Sequence, residues 1–165
     1  MKTALVVVDV QNYFANKHTT KIAKKISDFI SEHRQDFDFI LFTKFVNKDD
    51  SNYVKLLNWE KCFSSPDTDI PSEFSEFVDE DNVFIKTAYS AFKSKKFCSF
   101  LKMNNIKKLF LCGIDTDACI VATAFDAFDL GYEVKILKDL KDHDKPAKLG
   151  VNIQGLEIIA QERGA

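Results

Sequence analysis

Near-continuous apolar runs occupy residues 4–8, 37–43, 82–85, 108–112 and 132–137. Runs of Val, Ile, Leu and Phe without polar alternation suit strands covered on both faces. The segments between them carry helical spacing instead. Ile22, Ile26, Phe29 and Ile30 form one apolar stripe, and Phe92, Phe97, Phe100 and Leu101 form a looser one. Ala118, Val121, Ala122, Phe125 and Phe128 form a third, and Leu149, Ile153, Leu156, Ile159 and Ala160 a last helical face.

Strands that alternate with helices predict parallel strands joined by crossovers. The expected fold is therefore α/β, a three-layer α/β/α sandwich around a Rossmann-like open parallel sheet of roughly five to six strands. Residues 44–75 fit this pattern least, with a short helix expected only around residues 53–59. This stretch reads as an excursion over the sheet edge, where specificity commonly resides. A chain of 165 residues with 45% hydrophobic content suits a single domain, residues 1–165, with one substantial core.

The net charge of −2, from 23 basic and 25 acidic residues spread along the chain, offers no sustained positive field for a nucleic acid. The apolar run at the N-terminus is too short for a signal peptide or for a membrane span of about 20 residues, so a cytoplasmic protein is expected. Cys62, Cys98, Cys112 and Cys119 show no C-x-x-C pairing, and free thiols are expected. With five glycines and no G-x-G-x-x-G or P-loop, a flavodoxin-like or nucleotide-binding module lacks its usual phosphate cradle.

In open parallel sheets, ligands bind beyond the carboxyl ends of the strands. Asp9 closes the first apolar run, Lys86 closes the third, and Cys119 lies a few residues past the fourth. Residues 113–119 run through a glycine turn into a helix for which Thr116 is an N-cap candidate. A cysteine in that first turn, beside a lysine, is expected to fall below the ordinary thiol pKa of about 8.5. Taken singly, Cys119 reads more readily as a small buried hydrophobe, and Asp9 with Lys86 as a structural ion pair. Together the three form a nucleophile, a base and a cation.

These residues resemble the isochorismatase-like cysteine hydrolases, the superfamily that includes nicotinamidases and N-carbamoylsarcosine amidases. Residues 7–12, Val-Val-Asp-Val-Gln-Asn, look like its D-x-Q strand end. Residues 85–92, Ile-Lys-Thr-Ala-Tyr-Ser-Ala-Phe, look like its lysine segment, and residues 113–134 like its nucleophile block. The resemblance implies that Cys119 is the nucleophile, Asp9 the general base and Lys86 the supporting cation. It also implies a non-proline cis bond between Ile114 and Asp115, with the N–H groups of Asp115 and Cys119 as the oxyanion hole. The implied activity is hydrolysis of an amide or carbamoyl C–N bond of a small molecule, by a homo-oligomer of two or more copies.

Nicotinamidases hold a metal with Asp and several His after the second strand. The matching stretch here, residues 43–53, has no histidine, so neither a metal nor a cofactor is expected. His18, His33 and His143 are expected at the surface. Gln11, Phe14, Phe45, Trp59, Tyr89 and Phe92 are candidates for the substrate pocket; each of the aromatic ones is as readily a core residue. Two further readings stay open: a vinyl ether hydrolase in which Asp9 protonates the substrate and the cysteine is dispensable, and a catalytically silent relative with a structural or regulatory role.

Overall fold

β1 (Lys2–Val8) lies inside a sheet whose alternate residues feed two separate cores. Ala4, Val6 and Val8 pack on one side with Leu109, Leu111, Phe97 and Ala124, whereas Leu5 and Val7 pack on the other with Ile26, Ile30 and Phe42. The absence of polar alternation in β1 follows from this: neither face of the strand meets water. In the computed structural model, which describes residues 1–15, 19–141 and 157–159, the elements run β1, α1 (Thr20–His33), β2 (Phe39–Phe45), α2 (Asn52–Leu57), β3 (Val83–Lys86) and α3 (Lys95–Met103). They continue with β4 (Ile106–Gly113), α4 (Val121–Asp129), β5 (Glu133–Lys141) and β6 (Glu157–Ile159).

All the strand pairs are parallel, in the order β3-β2-β1-β4-β5-β6. The order reverses between β1 and β4, so the crevice expected of such sheets opens at the carboxyl ends of those two strands. The expected three-layer α/β/α arrangement is the observed one. α1 covers one face through Ile22, Ala23, Ile26, Phe29 and Ile30, and α3 and α4 cover the other. No helix among the described residues is long and apolar enough to cross a membrane.

Two sequence expectations are corrected. Ile159, expected on a final helical face, lies in β6, where Ile158 and Ile159 pair with Ile136 and Leu137 at the outer edge of β5. An unpaired edge and β-branched residues favour strand over helix there; Leu149, Ile153, Leu156 and Ala160 lie outside the described residues. In α4 the buried face carries Thr123, Ala124 and Ala127, while Phe125 and Phe128 are 37% and 46% exposed. The cause is a π turn over Thr116–Ile120, in which Ile120 N–H donates to the Asp115 carbonyl five residues back at 3.1 Å. The extra residue rotates the helix that follows out of the phase its sequence suggests.

Gly113 ends β4 with φ of +122°, and a Cβ there would stand 2.2 Å from the Val8 carbonyl oxygen. Its bare backbone lets Ile114 N–H reach that same oxygen at 2.9 Å, holding the end of β4 against the end of β1. Gly113→Ala is expected to destabilise the protein by about 3 kcal/mol or more, read as a lower urea midpoint with an unchanged slope.

Candidate active site

Asp9 is the first residue past β1 and takes a positive φ of 50°, which turns its side chain out of the strand's alternation and over the sheet end. Its Oδ1 accepts a hydrogen bond from Thr43 Oγ1 at 2.7 Å, and its own N–H donates back to that hydroxyl oxygen at 3.2 Å. Thr43 sits level with Val8 on the neighbouring strand, so pairing of β1 with β2 delivers it to this position.

Lys86 is the last residue of β3, two strands from β1. Its buried side chain reaches over the Phe45 ring at the end of β2, with Nζ 5.4 Å from the ring centroid, and meets Asp9 Oδ2 at 2.6 Å. The ammonium also donates to the carbonyls of Ala88 and Tyr89 at 2.8 and 2.9 Å, and lies 3.5 Å from Cys119 Sγ. A buried cation and carboxylate cost several kcal/mol each to desolvate, and only such a saturated set of partners offsets that cost.

Cys119 lies in the π turn between β4 and α4 and remains 8% exposed. The peptide bond between Ile114 and Asp115, at the start of this connection, is cis. Thr123, one turn into α4, ties the region together: its hydroxyl donates to the Cys119 carbonyl at 2.7 Å and accepts from Ala91 N–H at 3.1 Å. Thr116 does not cap a helix as expected. It is buried inside the π turn, whose N-cap is Asp115 and makes no side-chain capping bond.

The electrostatics also differ from expectation. Burial pushes the Cys119 thiol well above its ordinary range, the Asp9 charge adds to the rise, and Lys86 opposes it without prevailing. The resting sulfur is therefore a thiol, 3.5 Å from the Lys86 ammonium.

Around this centre stands a chain of rings. Phe14 stacks on Trp59, Trp59 contacts Phe45, Phe45 contacts Tyr53, and Tyr53 contacts Tyr89, with centroid separations from 5.0 to 6.4 Å. Tyr13 joins through Trp59, whose indole N–H donates to its hydroxyl at 3.3 Å. Phe14, Phe45, Trp59 and Tyr89 thus gather beside the site. Phe92 does not: it packs against Phe97 and Tyr132 in the core beneath α3. Gln11 is fully buried with its amide satisfied by main chain, donating to the Phe45 and Thr68 carbonyls and accepting from Phe45 N–H at 2.7 Å. It braces the rim rather than lining a pocket.

Thr43, Tyr13 and Tyr53 were not among the sequence candidates. Thr43 sits in an apolar strand, where its β-branched shape hides its hydroxyl chemistry. Tyr53 lies in the excursion; burial above all, then the neighbouring Tyr89 and the Asp9 charge, keeps its phenol protonated past its ordinary range. Cys62 is fully buried, its thiol pushed up to about 12 by burial, and Cys112 is a core residue as expected. All four cysteines are free. His33 stacks on Phe29 and pairs with Asp36, while His18 and His143 lie outside the described residues.

The metal held by some members of the resembled superfamily finds no matching donors in the loop after β2. Asn47 there spends its amide on the carbonyls of Trp59 and Lys61, and its Oδ1 accepts from Lys48 N–H and the Ser51 hydroxyl. Among the described residues no three His, Cys, Asp or Glu side chains converge.

A model of the isochorismatase domain matches residues 3–142. The chain is 27% identical over 145 residues to an uncharacterized isochorismatase family protein of Bacillus subtilis (strain 168), across 84% of this chain and 76% of that one. Over 82 residues, 49% of this chain and 42% of the other, it is 39% identical to an Arabidopsis thaliana protein named a probable inactive nicotinamidase. The crystal structure of N-carbamoylsarcosine amidase from Thermoplasma acidophilum superposes with a TM-score of 0.80 over 98% of both chains at 22% identity, a likeness of fold. With most of its length matched by the family model, this chain belongs to the isochorismatase family of hydrolases.

Proposed function

We propose that the protein is a cysteine hydrolase that cleaves the C–N bond of a small amide or carbamoyl compound through a thioester on Cys119. The observation that carries this reading is the single ammonium of Lys86, 2.6 Å from a carboxylate oxygen of Asp9 and 3.5 Å from the sulfur. The Cys119 proton passes to Asp9 as the sulfur attacks the carbonyl carbon, and Lys86 offsets the charge while the bond forms. The resulting oxyanion is taken by the backbone N–H groups of Asp115 and Cys119. Asp9 then returns the proton to the departing ammonia or amine. A water gives its proton to Asp9, attacks the thioester and releases the acid, and the sulfur leaves with the proton that Asp9 holds. Phe14, Phe45, Trp59 and Tyr89, with Tyr13 and Tyr53, form the apolar wall against which a small planar substrate lies.

The neutral resting thiol favours one rival within the family, hydrolysis of a vinyl ether by proton donation from Asp9, which needs no thiolate. A panel of small primary amides and carbamoyl compounds assayed for ammonia release is expected to yield a substrate. With that substrate, Cys119→Ala lowers turnover by about a thousandfold or more; near-normal turnover in this variant points to the rival instead. Iodoacetamide is expected to abolish activity at one equivalent, with substrate protecting. The alkylation rate keeps rising through the ordinary thiol range, about 8.5, without a plateau, because burial holds the folded thiol above it. Lys86→Met leaves Asp9 buried without its cation and is expected to cost about 3 kcal/mol or more in urea unfolding, together with activity.

A further inference from the structure

Thr123 is fully buried in α4, one helical turn after Cys119, and returns its hydroxyl to the Cys119 carbonyl at 2.7 Å. A threonine in a helix commonly makes this bond to the carbonyl of the preceding turn, and alone it would carry little meaning. Here the same oxygen also accepts from Ala91 N–H at 3.1 Å, across a gap of 32 residues in the chain. Ala91 and Thr123 are both fully buried, so neither group can turn to water instead.

Ala91 opens the 3₁₀ turn Ala91–Lys93, directly after the residues that hold the ammonium. Lys86 Nζ donates to the carbonyls of Ala88 and Tyr89, which lie just before Ala91 in the same turn of chain. The Thr123 hydroxyl therefore joins the backbone that carries the sulfur to the backbone that cradles the ammonium. A second tie between α4 and this segment, the ion pair of Lys93 with Asp126 at 3.2 Å, is largely exposed on the lysine side and contributes little.

We propose that Thr123 is a positioning residue for the nucleophile: its hydroxyl fixes the turn after β3 against the π turn, and so sets the 3.5 Å separation of Lys86 Nζ from Cys119 Sγ. The inference rests on the proposed hydrolysis only in taking Cys119 as the reactive group. Lys86 is the cation that opposes the rise of the thiol, and its effect falls in inverse proportion to distance. Once the tie is lost, the turn is free to withdraw the ammonium, and the thiolate becomes rarer at any given pH.

The test is the rate at which iodoacetamide alkylates Cys119 in the full chain at one pH, followed by mass spectrometry of the Cys119 peptide; no substrate is needed. Thr123→Val keeps the shape of the side chain and removes the hydroxyl, and Thr123→Ala does so with less bulk. Both are expected to react roughly fivefold more slowly than the parent. Thr123→Ser restores the hydroxyl and with it the parental rate. Ile30→Val, in the core on the opposite face of the sheet, lowers the melting temperature and leaves the rate unchanged. In the parent chain, Ala91 N–H exchanges with solvent deuterium as slowly as the amides of β1. A structural role alone predicts faster alkylation in the Val and Ala variants, because a loosened site exposes the sulfur. Faster or unchanged alkylation in those variants, a slow Thr123→Ser, or rapid exchange at Ala91 overturns the proposal. Failure of every amide tried to release ammonia counts against the hydrolysis and leaves this inference standing.

Discussion

The buried contact between Lys86 and Asp9 organises the end of the sheet. Neither ion tolerates this environment alone, and each brings other groups with it. The ammonium draws the carbonyls of Ala88 and Tyr89 toward itself, so the turn leaving β3 folds back over the strand ends. The carboxylate draws Thr43 from β2. A strand of four residues at the sheet edge is thereby tied to β1, across β2 and over the Phe45 ring. The pair stabilises only in this fully partnered form, which makes it a constraint on geometry more than a reservoir of stability.

That constraint also sets the state of the sulfur. Lys86 favours a thiolate, but its charge is already engaged by Asp9, and burial leaves Cys119 protonated. In the proposed hydrolysis Asp9 takes the proton only as a new bond to sulfur forms. A sulfur that stays neutral at rest reacts slowly until a base takes its proton, since the thiolate is the reactive form. The price is an activation step that must be coupled to substrate.

The strands were legible because burial on both faces writes itself as unbroken apolar runs. Asp9 and Lys86 were legible because a charge that closes such a run needs an explanation. Phase was harder to read. The π turn before α4 adds one residue that no local signal announces, so the stripe ending in Phe125 and Phe128 turned outward while Ala124 and Ala127 met the sheet. Pairing across the sheet was equally hidden: β6 took Ile159 because the edge of β5 was open, a condition set by residues far away in sequence. Phe92, close to Lys86 in the chain, points into the core because the short 3₁₀ turn that holds it, Ala91–Lys93, packs under α3.

The same distinction between local and distant control explains how the aromatic wall is held. Residues 44–75 have little regular structure, yet their rings stand in fixed relation to the triad. Two buried amides do this. Gln11 joins the end of β1 to the Phe45 backbone and the Thr68 carbonyl. Asn47 joins the loop after β2 to the carbonyls of Trp59 and Lys61. Each amide satisfies main-chain groups that would otherwise be buried without partners, so removing one leaves orphaned polar atoms on both sides of the gap. Phe45 and Trp59 are adjacent in the wall, and each is held by a different amide. The shape of the proposed substrate slot thus depends on two residues that need not touch substrate, while the charges at its base depend on strand pairing and on the turn that follows β3. Specificity and chemistry can therefore change independently on this scaffold.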